Sequence, residues 1–192
     1  GGFEISDNEE IMAYGIDTIS RRNYDLIFKN LKTGELYPET IKNTEGGSYA
    51  WGADNKTIFY IIRDQQTLLG NKIFRHILGT DPGSDQLVYE EKDNQFYTGL
   101  YRMKSKKYVA IISEQNGVAT EYQLLEASKP MGNFKTFLPR KNGHEYYVEH
   151  FENRFFVKTN LNKAINFKLV EVDEKNAANT KFWKEKIAHR KD

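Results

Sequence analysis

Gly46-Gly47-Ser48-Tyr49-Ala50 is the stretch of this 192-residue chain that most resembles reactive chemistry. A serine between glycines is how a nucleophile elbow is built: a strand ends, the serine stands on a sharp turn, and a helix N-terminus lies behind its hydroxyl. The flanks predict something else. Ile41 to Glu45 reads as a polar loop, and Trp51 to Lys56 leads into a tight turn and another strand. Ser48 is therefore expected to be structural.

The other candidates fail on spacing. HEYYVEH, residues 144–150, opens like the zinc-protease pattern H-E-x-x-H, but Val148 stands where the second histidine should be. His144 and His150 are expected on one strand, roughly 20 Å apart at ~3.3 Å per residue, too far to share a metal. His76 and His189 are isolated, and all four histidines are expected to be ordinary polar residues. Glu90 and Glu91 are adjacent, so on a strand they point to opposite faces and cannot share a proton. Asp7 with Glu9 and Glu10 is a second group of neighbouring carboxylates. The chain has no cysteine, which removes thiolate ligands, a cysteine nucleophile and disulfides, and suits a reducing cytoplasm. No phosphate-binding glycine loop is present. No catalytic, cofactor-binding or metal residue is expected, and no cofactor.

Composition narrows the partners. Lys plus Arg number 28 against 27 for Asp plus Glu, a net charge of +1, and the cations are scattered, unlike a nucleic-acid binder. The clusters Arg21-Arg22, Lys104 to Lys107 and Lys184 to Lys191 fall in or beside expected turns and edges, where lysine discourages stray strand pairing. No apolar run approaches the ~20 residues of a membrane span. The start, GGFEISDNEE, lacks the basic-then-apolar order of a signal peptide. A soluble, cytoplasmic, β-rich protein is expected.

The elements that must position these residues are short and apolar: IMAY (11–14), TIFYII (57–62), KIFRHIL (72–78), YVAII (108–112), EYQLL (121–125), RFFV (154–157) and NFKLV (166–170). Their length and their Ile, Val, Tyr and Phe content predict strands. They recur. Phe28-Lys29-Asn30-Leu31, Phe74-Arg75-His76-Ile77, Tyr122-Gln123-Leu124-Leu125 and Phe167-Lys168-Leu169-Val170 each run from an aromatic through a polar residue to an aliphatic one, at separations of 46, 48 and 45 residues. Met12, Ile58, Tyr108 and Phe155 each open a strand, at separations of 46, 50 and 47. A period of ~40–50 with four strands per unit predicts β-propeller blades. The units run roughly over residues 1–45, 46–93, 94–142 and 143–192. Residues 180–190 have some helical periodicity, but their place in the repeat is that of an outer strand. Aligning the units sets Ser48 opposite Thr98 and Thr98 opposite Glu145, a scaffold position. The innermost strands are expected to line the channel through Ser48, Trp51, Thr98, Tyr101, Glu145 and Val148. An irregular antiparallel sandwich is the alternative.

IMAYGIDTISRRNYDLIFKNLKTGELYPE (11–39), WGADNKTIFYIIRDQQTL (51–68), IFRHILGTD (73–81) and QLVYEEKDNQFYTGL (86–100) carry a family pattern. EYQLLEA (121–127), FLPRKNGHEYYVEHFENRFFVKTN (137–160) and NFKLVEV (166–172) continue it in order. Together they resemble the propeller of the oligopeptidase B (protease II) branch of the prolyl oligopeptidase family of serine peptidases. The resemblance implies an all-β, seven-bladed propeller of four-stranded antiparallel blades, of which about four are present. It also implies a partner on the same parent chain, an α/β-hydrolase domain carrying Ser, Asp and His. Short peptides would be cleaved after Lys or Arg, with the propeller gating access. The family's Gly-Gly-Ser-Ala-Gly-Gly motif belongs to that other domain, and GGSYAWG departs from it, so no catalytic residue carries over.

A partial ring leaves two blade faces uncovered, and self-association through them is expected. The rival function is a stand-alone interaction propeller. Its usual Trp-Asp pairs are missing, since Trp51 and Trp183 are followed by Gly and Lys.

Overall fold

In the computed structural model, residues 2–64 and 66–190 are described, so Lys191 of the last basic cluster lies outside the described residues. Strands β1 (Phe3–Ile5), β2 (Ile11–Ile16), β3 (Tyr24–Asn30) and β4 (Leu36–Trp51) begin the chain. They are followed by β5 (Thr57–Arg63), β6 (Gly70–Ile77) and β7 (Gln86–Glu90), then β8 (Tyr97–Arg102), β9 (Tyr108–Gln115), β10 (Ala119–Glu126) and β11 (Lys135–Thr136). The last four are β12 (Tyr146–Phe151), β13 (Arg154–Thr159), β14 (Lys168–Asp173) and β15 (Lys184–Ile187). Every pairing between strands is antiparallel.

The sheets are four-stranded blades. β8 to β11 form one and β12 to β15 another. The first seven strands are hydrogen-bonded in series because β4 belongs to two blades. Its first part, from Leu36 to Thr44, is the outer strand beside β3, and Tyr49 to Trp51 is the inner strand beside β5. A register break between Thr44 and Tyr49 marks the passage.

Blade stacking is visible in which faces are dry. β5 and β9 are nearly continuous apolar runs, as strands covered on both faces must be. Ile58 and Tyr60 pack with Leu26, Phe28 and Ile41 of the first blade. The intervening Phe59 and Ile61 pack with Leu100, Val109 and Ile111 of the third. Ala110 and Tyr122 of the third blade meet Val148, Phe155 and Val157 of the fourth. Three blade interfaces thus hold three cores, each large side chain contributing on the order of 1.5–3 kcal/mol by burial. The end blades are dry on one face only, alternating along β2 and β13. This is the all-β propeller architecture, and it disposes of the sandwich.

One turn recurs and corrects the repeat alignment. The hairpins after β1, β4 and β8 close with the same bond, from Ser6 N–H to Ile11 C=O, Gly52 to Thr57 and Met103 to Tyr108. Each carries a left-handed residue at the same step: Glu9, Asn55 and Lys106, with φ of 59°, 56° and 61°. Tyr108 therefore corresponds to Thr57 and Ile11, one residue away from the aligned anchors Ile58 and Met12. One residue along a strand is the other face. Phe167 is also displaced. It precedes β14 with a left-handed φ of 59° and is not part of that strand.

Candidate functional site

β4 carries Gly46-Gly47-Ser48 across the junction of the first two blades. Residues 41–45, expected as a loop, are strand: Ile41 pairs with Leu26, and Thr44 with Tyr24. Ile41 and Thr44 point inward while Lys42 and Asn43 are exposed. Asn43, at φ 61°, absorbs a bulge that loop-like residue types had suggested as a break. The glycines answer to packing. A β-carbon on Gly46 would lie 2.5 Å from the Tyr24 ring, and one on Gly2 would lie 2.5 Å from Gly47 Cα. Beyond Ser48 the strand runs on to Trp51 and turns into β5, so no helix end backs the hydroxyl.

Three histidines are more deeply placed than ordinary polar residues. His76, on β6, has no exposed side-chain surface. Its Nδ1 lies 2.8 Å from Asp85, which also accepts from the Tyr60 hydroxyl at 2.8 Å. Its ring stacks on Phe28 of the neighbouring blade. The Tyr–Asp–His chain resembles an acid–base relay, but it is sealed in a blade interface. His144 Nε2 lies 2.9 Å from the Thr159 hydroxyl, and both residues are buried. His150 Nε2 meets Glu174 at 2.6 Å between the rings of Tyr108 and Phe155. Burial lowers both pKa values: Lys141 adds to the effect at His144, and Glu174 opposes it at His150. Among the described residues no group of three or more His, Cys, Asp or Glu is placed to hold a metal. A sequence signal existed only for His150, an inward position of the alternating strand β12. His144 lies before β12 and not on one strand with His150, and His76 follows the buried Arg75 on β6, where alternation lapses.

Glu90 and Glu91 diverge, as adjacent residues must. Glu90 faces Lys72 at 3.8 Å and Glu91 is buried against Arg140, whose guanidinium lies 3.6 Å from the Phe96 ring centre. Burial works to raise the Glu91 pKa, but hydrogen bonds from Arg140 and the Asp93 N–H prevail and hold it below the usual range. Glu91 and Arg140 bind the second blade to the third.

The six inner-strand residues divide into two groups. Trp51 and Val148 are buried between blades and offer no surface to a channel. The Trp51 indole N–H donates to Glu4 C=O at 3.2 Å, joining the second blade to the first. The Tyr101 hydroxyl donates to Val148 C=O at 3.3 Å, joining the third to the fourth, and burial pushes its pKa up to about 12. Ser48, Thr98, Tyr101 and Glu145 are half-buried. Glu145 accepts from the Gly117 N–H at 2.9 Å. The hairpin register sets Trp51 opposite Arg102, which the sequence alignment missed by one residue. Arg102 donates to Trp51 C=O and pairs with Asp7 at 3.1 Å. A cleft of about 480 Å³ lies between the third and fourth blades against Tyr108, Leu124, Phe137, Phe155 and Glu174. The arrangement offers rigid, ion-paired seams and a charged inner rim, with no exposed nucleophile–base pair among the described residues.

Comparison with known proteins places this geometry. Residues 1–192 match the family described as prolyl oligopeptidase, N-terminal beta-propeller domain. Dipeptidyl aminopeptidase BI of Pseudoxanthomonas mexicana is 39% identical over 192 residues, covering 100% of this chain and 26% of that protein. Protease 2 of Moraxella lacunata is 31% identical over 160 residues, covering 83% and 23%. The structure of oligopeptidase B from Leishmania major superimposes with a TM-score of 0.89 at 24% identity, covering 100% of this chain and 27% of that one. The chain thus spans about a quarter of the length of the relatives it matches.

Proposed function

This chain belongs to the prolyl oligopeptidase N-terminal β-propeller family, and we propose from that premise that it is the gating part of a peptidase. The parent would be a cytoplasmic serine endopeptidase of the oligopeptidase B kind, cleaving short peptides after Lys or Arg. The reacting serine and its Asp and His would lie in an α/β-hydrolase domain elsewhere on the parent chain, working by acyl transfer. The propeller's part would be steric: its inner strands restrict access to small, unfolded substrates. One observation supports this above the others, the likeness to Protease 2 along 83% of the chain.

A second reading has its own support. Identity to dipeptidyl aminopeptidase BI is higher, 39% over 192 residues, and favours a parent that releases dipeptides from free N-termini. The two readings separate on one experiment with the full-length parent. An N-blocked Arg-Arg fluorogenic peptide should be turned over by an endopeptidase, and only an unblocked dipeptide derivative by a dipeptidyl peptidase. Residues 1–192 alone should turn over neither. Turnover by these residues that disappears in Ser48→Ala would defeat the gating assignment.

A further inference from the structure

The three recurring hairpins bring the ends of three inner strands together. Ile5, Trp51 and Arg102 hold the same position, one residue before the bond that closes each turn. The first two are apolar and Arg102 is not. Its guanidinium reaches back over the second blade, donating to Trp51 C=O and to Asp7 of the first blade at 3.1 Å. It also donates to Lys106 C=O, which holds it against its own turn. Lys106 Nζ stands 3.3 Å from the other Asp7 oxygen. The Trp51 indole closes the circuit on Glu4 C=O, and Asn8 N–H donates to Asn55 Oδ1 between the first two turns. These groups surround a cavity of about 230 Å³ lined by Glu4, Asp7, Trp51, Arg102 and Lys106.

The contacts of Arg102 and Lys106 with Asp7 span three blades; every other polar contact named between blades joins neighbours. Inner strands border the opening of a propeller, so a tie between the first and third limits how far their ends can part. The Arg102 side chain is 11% exposed and Asp7 29%, a partly screened pair that salt can weaken.

We infer that Asp7 and Arg102 form a clasp that sets the width of the opening at this end, and with it the size of peptide the parent admits. The inference rests on the gating reading above. Asp7 and Arg102 are positioning residues, acting through the strand ends.

The test uses the full-length parent and two peptides with the same cleavage site, one short and one long. The readout is the ratio of kcat/KM for long over short. In Arg102→Met and Asp7→Asn the ratio should rise about fivefold while short-peptide kcat and KM stay at the unaltered values, and the double variant should add nothing further. Asp7→Glu, which keeps the charge, should restore the original ratio. Should Arg102→Met not fold, raising salt from about 0.05 to about 1 M on the unaltered enzyme should lift the same ratio. A ratio within about twofold of the unaltered enzyme in Asp7→Asn, with no response to salt, overturns the clasp. If the unaltered enzyme does not discriminate between the peptides at all, the gating reading fails and the clasp with it; discrimination that no variant shifts sinks the clasp alone.

Discussion

The ring of Tyr24 lies over Gly46 so closely that a β-carbon on Gly46 would come 2.5 Å from its Cε2 and 2.6 Å from its Cδ2 atom. Tyr24 is on β3 and Gly46 is where β4 leaves the first blade for the second, so the contact fixes the point at which the chain changes blades. It gives the paired glycines a cause unrelated to the serine beside them. Gly46→Ala is expected to destabilise the fold by about 1–3 kcal/mol through overpacking. Ser48→Ala is expected to stay within about 0.5 kcal/mol and to leave the parent's peptidase activity unchanged. Urea unfolding and a rate assay check both halves.

His76 sits between two blades with Asp85 on one ring nitrogen and Phe28 against its face. Truncation to alanine opens a cavity and strips a buried carboxylate of one of its two partners, the other being the Tyr60 hydroxyl. We expect His76→Ala to cost about 3 kcal/mol, and His76→Phe to cost less in cavity but still to leave Asp85 with the Tyr60 hydroxyl and without its imidazole partner. Equal midpoints for His76→Ala and the parent sequence in chemical unfolding would remove the claim.

Stability should fall on mild acidification. Burial lowers the pKa of His144 and of His150 in the folded protein, so the unfolded chain takes up protons first as pH drops. Their contribution is complete above the unfolded imidazole value of about 6.5 and is lost as pH falls through it toward the folded values. The carboxylates Glu91 and Glu174, whose pKa values are lowered, contribute a second loss only below the ordinary carboxylate range. A thermal midpoint that stays level between about pH 7.5 and 5.5 would contradict the histidine assignment.

The free face of the first blade should be adhesive. Phe3 and Ile5 are 63% and 43% exposed and pair across the hairpin with Tyr14 and Met12. Ile27 lies opposite Tyr14 on β3, extending the apolar strip. The corresponding face of the fourth blade carries Arg154 over Phe156 and Lys158 over Tyr147 instead. We expect the 192-residue chain to self-associate through the first face, and Phe3→Asp to reduce the association. Light scattering across a concentration series, with a constant monomer mass as the adverse result, decides it.

The identity of the short apolar strands, the blade repeat of ~40–50 residues and the resemblance to the family were legible along the chain, though residues 41–45 of β4 were not, because side-chain alternation and turn residues act over a few positions. TIFYII and YVAII announced strands, and they form β5 and β9. Register was not legible. The common turn is spelled DNEE, ADNK and KSKK, and only hydrogen bonding from Ser6, Gly52 and Met103 shows that Glu9, Asn55 and Lys106 are equivalent. That one-residue difference put Tyr101, rather than Arg102, opposite Trp51. The passage of β4 through two blades, the burial of His76 and the reach of Arg102 to Asp7 likewise depend on residues far apart in sequence. Local preference specifies that a segment is extended and which of its faces is apolar. Which segments meet, and at what offset, is set by the closing of turns and the stacking of sheets, and those energies exist only once the blades are assembled.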